Sequence, residues 1–103
     1  MSAVDFGYLE GFLNGDKTIV LEVLELFRQQ GAVWSAGLEA GNPDWRAVAH
    51  AIKGAARGVG AGALGDACQI AEFGGADDLP QVRAELATAL AAIEAYVASG
   101  GNP

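Results

Sequence analysis

The sequence predicts an all-α protein, an antiparallel four-helix bundle with a short additional N-terminal helix. Three observations predict it. Apolar residues recur at spacings of three and four along most of the chain. Clusters of Gly, Asn and Pro divide that pattern into one short and four longer segments joined by short loops, and long amphipathic helices with short loops fold back on one another. No stretch alternates with period two for long enough to read as a strand.

The short helix spans about Asp5 to Leu13, with Phe6, Leu9 and Phe12/Leu13 as its apolar side. Asn14-Gly15-Asp16 is a turn that also supplies a capping side chain. The second helix runs from about Asp16 to Ala40 on a stripe of Val20, Val23, Leu24, Phe27, Trp34 and Leu38. Ile19, Leu26 and Val33 form a further stripe about 110° away. The short first helix is expected to cover Ile19; Leu26 and Val33 are left as either covered or a docking surface. Gly41-Asn42-Pro43 breaks the chain, with Asn42 as cap and Pro43 at the first helical position.

The third helix, about Pro43 to Val59, packs through Trp45, Val48, Ala49, Ile52, Ala56 and Val59. Gly58, Gly60 and Gly62 mark its end and the following turn. The fourth, about Ala63 to Phe73, uses Leu64, Ala67, Cys68 and Ala71. Residues 74–78 are a loop. The fifth starts near Pro80 and uses Val82, Leu86, Ala89, Leu90, Ile93 and Val97. Residues 1–103 read as a single domain, with 99–103 a flexible tail.

Composition narrows the function. Six cations against thirteen acids give a net charge of −7. That argues against nucleic acid and anionic membrane surfaces, which reward dense Lys and Arg. One His and one Cys preclude an intramolecular disulfide and argue against zinc. There is no basic, apolar leader and no run of about 20 apolar residues. With a lone Cys, these point to a cytoplasmic protein. Gly60-Ala61-Gly62-Ala63-Leu64-Gly65 matches the dinucleotide fingerprint literally, but no strand precedes it, and no phosphate loop is present. Cys68, Trp34 and Trp45 read as core residues.

The charge is unevenly distributed. On the third helix His50 lies about 140° from the apolar stripe. Arg46, Lys53 and Arg57 fall on its side, at −4, +3 and +7, and no acid lies between Asp44 and Asp66. An exposed imidazole among cations suits capture of a phosphoryl group: the neutral nitrogen attacks phosphorus in line while cations offset charge on the equatorial oxygens. Gly54, one turn on, leaves the ring uncovered. The same spacing also suits a solvated basic face with an incidental histidine, and spacing alone does not decide between them.

The run His50-Ala51-Ile52-Lys53-Gly54-Ala55-Ala56-Arg57-Gly58-Val59-Gly60-Ala61, followed by Leu64, Cys68 and Glu72, resembles the signature of histidine-containing phosphotransfer (HPt) domains. Gly15-Asp16 and Gly41-Asn42-Pro43-Asp44-Trp45 extend the resemblance over nearly the whole chain. It implies five helices with a four-helix core, and a bacterial phosphocarrier, not an enzyme with an ATP site. Such a carrier works in complex with receiver domains of response regulators and hybrid histidine kinases. By residue, it implies His50 as phosphoacceptor, Lys53 as phosphate-stabilising cation, Gly54 as the opening for a receiver and Glu72 as the imidazole-orienting group. Arg57 joins the phosphate site by its charge; the role of Arg46 is left open. No cofactor of its own is expected, Mg2+ belonging to the receiver, and the chain is expected to be a monomer. Two other classes remain: a non-catalytic helical adaptor, and a histidine-kinase dimerisation fragment. The latter would ordinarily carry an acid after the histidine, where this chain has Ala51.

Overall fold

The computed structural model describes residues 3–101. Its elements are α1 (Phe6–Phe12), α2 (Lys17–Gly37), α3 (Trp45–Val59), α4 (Gly62–Phe73), a 3-10 turn (Ala76–Asp78) and α5 (Leu79–Ala98). No strand occurs among the described residues. The protein is therefore all-α with five helices, as the periodicity predicts.

α1 and α2 start where the capping chemistry places them. Asp5 accepts from the Tyr8 N–H at 3.0 Å, and Asp16 from the Ile19 N–H at 3.2 Å. Between them Asn14 and Gly15 take positive φ values of 55° and 74°, which turn the chain sharply. Pro80 stands in the first turn of α5, where its missing N–H leaves no bond unmade.

Two boundaries differ from expectation, for one reason. α2 ends at Gly37 and not Ala40, because Leu38 leaves the helix to bury its side chain fully. Asn42 Nδ2 then donates to the Gly37 carbonyl at 2.9 Å, and Arg83 of α5 donates to the Leu38 carbonyl. Asn42 Oδ1 accepts from the Asp44 N–H at 3.1 Å, so Pro43 sits inside this turn and α3 begins at Trp45.

α2 packs on α3 and α5, α4 packs on α3 and α5, and α1 lies across α2 and α3. The core combines Val20, Leu24 and Phe27 of α2 with Ile52, Ala56 and Val59 of α3. It is completed by Leu64, Cys68 and Ala71 of α4 and Val82, Leu86, Ala89 and Ile93 of α5. Gly31 allows α2 to approach α5 closely, since a Cβ there would fall 2.6 Å from Leu90. Trp45 is buried and Trp34 half-buried, its ring edge-on to Phe27 at 5.3 Å. Cys68 is fully buried, and that burial pushes its thiol up to about 11.

At one end Phe6 stacks on Tyr96 with ring centroids 4.1 Å apart. Lys17 Nζ donates there to the Gly101 carbonyl at 2.6 Å, to Tyr96 at 3.2 Å and to Glu10 at 3.3 Å. Gly101 is thus buried against α2, while Asn102 and Pro103 of the expected flexible tail lie outside the described residues. α1 does not cover Ile19, which is 42% exposed. Phe6 and Leu9 direct α1 toward Tyr96 and the core, and the Asp5 N–H donates to the Gly60 carbonyl at 2.8 Å. Leu26 and Val33 are also exposed. None of the described helices is long and apolar enough to cross a membrane.

Candidate functional site

The site is built by the turn between α3 and α4. Gly60 closes α3 in the left-handed conformation, φ 85°, and the Ala61 N–H donates to the Ala56 carbonyl at 2.8 Å. α4 starts at Gly62 and packs back along α3. This brings Glu72 onto His50, 22 residues earlier in the chain.

The His50 side chain is 69% exposed, while that of Glu72 is only 15% exposed. The Glu72 carboxylate oxygens lie 3.0 and 3.1 Å from His50 Nδ1. A carboxylate can only accept, so Nδ1 carries the proton and donates. That fixes the ring's tautomer and orientation, leaving the lone pair of a neutral imidazole on Nε2. Lys53 Nζ lies 2.9 Å from Glu72 Oε1 and 3.3 Å from Oε2. The Lys53 ammonium foremost, with His50 assisting against desolvation, holds the Glu72 carboxyl below its ordinary value. The Lys53 ammonium also lies 5.5 Å from the centroid of the exposed Phe73 ring.

The expected site residues are placed as follows. His50, Lys53 and Glu72 meet as one cluster. Gly54 lies one turn beyond His50 and is exposed, and a Cβ there would have no side chain within 4 Å. Arg57 stands apart from the cluster. Its aliphatic stem lies over Gly65, where a Cβ would come within 3.1 Å of Cγ, and Nη2 donates to Gln69 Oε1 at 2.6 Å. Asp66 Oδ1 is 4.0 Å from the same nitrogen.

One residue was missed, and the role of another was left open. Gln69 stands one turn before Glu72 on α4 and holds the Arg57 guanidinium; its i, i+3 spacing from Glu72 was the available signal. Arg46 caps the end of α4: Nε donates to the Glu72 carbonyl at 3.1 Å and Nη2 to the Gly74 carbonyl at 3.0 Å. The signal was a cation on α3 one turn before His50. The unpaired carbonyls it meets belong to a neighbouring helix, which periodicity does not locate.

Among the described residues no three His, Cys, Asp or Glu side chains come together as a metal site. The arrangement instead presents a nucleophilic nitrogen on an open surface, oriented from behind by a carboxylate.

Comparison with known proteins gives the chain its family. A family model described as "Hpt domain" matches residues 22–96. The crystal structure of the histidine phosphotransferase ShpA from Caulobacter crescentus matches with a TM-score of 0.89 at 49% sequence identity. The match covers 95% of this chain and 93% of that one. No curated protein matches the chain. With a family match over most of its length, and a histidine phosphotransferase sharing half its sequence, this chain belongs to the Hpt domain family.

Proposed function

We propose that this protein relays a phosphoryl group between receiver-domain aspartates through a phosphohistidine at His50, and so from a hybrid histidine kinase to a response regulator. The observation that carries this is the exposed His50 ring, oriented by Glu72 through Nδ1 and uncovered at Gly54. The Nε2 lone pair attacks the phosphorus of a receiver's aspartyl phosphate. The N–P bond forms as the P–O bond to the aspartate breaks, and the carboxylate departs. Running the same step backwards onto a second receiver completes the relay. Glu72 stabilises the positive ring that forms, while Lys53 offsets charge on the equatorial oxygens. Gly54 gives the receiver's acidic site room to reach the ring.

The carrier needs no nucleotide and no cofactor of its own, and Mg2+ sits in the receiver. It acts as a cytoplasmic bacterial monomer, one domain over 1–103, on an antiparallel four-helix bundle. The receiver rests on the exposed Leu26 and Val33 of α2. A shallow groove of about 420 Å³ beside Leu26, walled by Phe27, Trp34, Ala55 and Gly58, extends that surface to α3.

Incubation with a labelled phospho-receiver tests the reading. The protein is expected to take up acid-labile, base-stable label, and His50→Gln to take up none. Label on His50→Gln overturns the assignment to His50. If no receiver of the source organism labels the protein, the relay itself is wrong. A partner captured equally by His50→Ala, with no phosphohistidine, favours an adaptor instead.

A further inference from the structure

We infer that Arg46 is a positioning residue for phosphoryl transfer, acting on the His50 ring through the backbone of Glu72. The inference rests on the relay reading above for its kinetic consequence, but not for its geometry.

Glu72 is the penultimate residue of α4, which ends at Phe73. That is a poor place from which to aim a side chain, because the last carbonyls of a helix lack intrahelical partners and the final turn frays. α4 also ends without a left-handed glycine, since Gly74 has φ −99° and ψ −107°. The Gly74 N–H closes the last turn onto the Ile70 and Ala71 carbonyls at 2.8 and 3.2 Å, and the hold on that end from α3 is Arg46. Its Nε donates to the carbonyl of Glu72 itself at 3.1 Å, and its Nη2 to that of Gly74 at 3.0 Å. Two donors of one rigid, planar fork thus grip the carbonyls of the two residues that flank Phe73.

The fork is itself fixed. The guanidinium carbon lies 4.5 Å from the ring centroid of Trp45, which is only 8% exposed. Arg46 and His50 are one turn apart on α3. Residue 72 is therefore held to α3 twice, at its backbone by Arg46 and at its carboxylate by His50 and Lys53. The backbone grip sets where the carboxylate starts, and hydrogen-bond strength at 3.0 Å falls steeply with displacement and misalignment. Losing the grip should therefore loosen the Glu72–His50 bond and release the ring's tautomer. The positive charge also lies at the negative end of α4, where it is favourable.

His50 is the chain's single histidine, so its ring nitrogens can be read by 15N-edited NMR without assignment ambiguity. The variants are Arg46→Ala, Arg46→Lys, Glu72→Ala and the Arg46→Ala/Glu72→Ala pair, with Arg46→Gln replacing Arg46→Ala should the latter not fold. Arg46→Ala is expected to move the His50 nitrogens part of the way toward their Glu72→Ala positions. It should slow transfer from a phospho-receiver about tenfold, the low end for a group acting through another. Arg46→Lys should restore part of both, and the double variant should be no slower than Glu72→Ala. Wild-type ring shifts in Arg46→Ala, even with a lowered Tm, make the contact a simple helix cap and overturn the inference. A rate loss that adds in full to that of Glu72→Ala also overturns it, by putting Arg46 on the phosphoryl group directly. Absence of label on the wild type would sink the relay reading while leaving the NMR comparison to judge Arg46.

Discussion

Gly54 is where a single residue separates the stability of the helix from the chemistry on it. An added Cβ there meets no side chain, so the glycine is not required by packing, and in a helix interior it costs about 1 kcal/mol relative to alanine. Gly54→Gln is expected to keep the fold and raise Tm by about 2–5 °C. It should also slow transfer about tenfold or more, because the longer side chain displaces the incoming receiver and small misplacements are strongly felt in transfer. Circular-dichroism melting and labelled-receiver kinetics on the same sample check both halves. Unaltered transfer removes the steric account. The helical spacing of three, four and seven made His50, Lys53, Gly54 and Arg57 legible as neighbours. It did not reveal that Arg57 leaves the cluster for Gln69, because that partner comes from another helix. Glu72 was legible only through the family resemblance. Nothing local in the sequence says that a residue 22 positions away will meet His50.

At the scale of elements, the α3–α4 turn decides whether that meeting happens. Gly60 has φ 85°, and a Cβ there would lie 2.8 Å from the Asp5 carbonyl oxygen, a backbone atom that cannot swing aside. Gly58, two residues earlier, is helical, and a Cβ there meets nothing. The two glycines should therefore respond oppositely to alanine. Gly60→Ala is expected to lose about 2 kcal/mol or more, combining left-handed strain with displacement of α1. Gly58→Ala should be neutral or stabilising by up to about 1 kcal/mol. Denaturant titration of both settles it: equal stabilities would mean the turn tolerates a side chain and does not set the α3–α4 register. Helix existence was legible because each core stripe is long and periodic. The end of α2 was not, because Leu38 still fits the stripe by spacing while its burial is achieved after the helix has stopped. The exposure of Ile19 was missed for a related reason. A stripe's angle is local, but what covers it depends on where α1 docks.

For the whole molecule the net charge of −7 divides into a basic face on α3 and an acidic remainder, a division already visible in the sequence. Less visible was Lys17. A cation at the first position of a helix is unfavourably placed against the macrodipole, which was the available sign that it serves elsewhere. It ties α2 to Glu10 of the α1 segment, to Tyr96 of α5 and to the Gly101 carbonyl. The titrating groups then give the protein two pH limits. Glu10 is held low first by its hydrogen bond from Tyr96 and then by Lys17, Glu25 by Arg28, and Glu72 by Lys53. A carboxyl lowered in the folded state contributes stability that is complete above its ordinary value of 4.5 and is lost as pH falls through the folded one. Lys17 is raised, most by Tyr96, and burial raises the Tyr96 phenol. Both contribute stability that is complete below their ordinary values, 10.5 and 10.0, and is lost as pH rises through the folded ones. Tm is therefore expected to be nearly level from about pH 5 to 9 and to fall on both sides, the alkaline fall tracing to Lys17 and Tyr96 and the acid fall shared by Glu10 beside them, Glu25 and Glu72. Lys17→Met should lower Tm at pH 7 and shrink the alkaline fall while leaving the acid contribution of Glu72 in place. Thermal melts of the two proteins across pH 3–11 read this directly. Identical alkaline limbs would show that the Lys17 clasp does not hold the termini of the folded chain together.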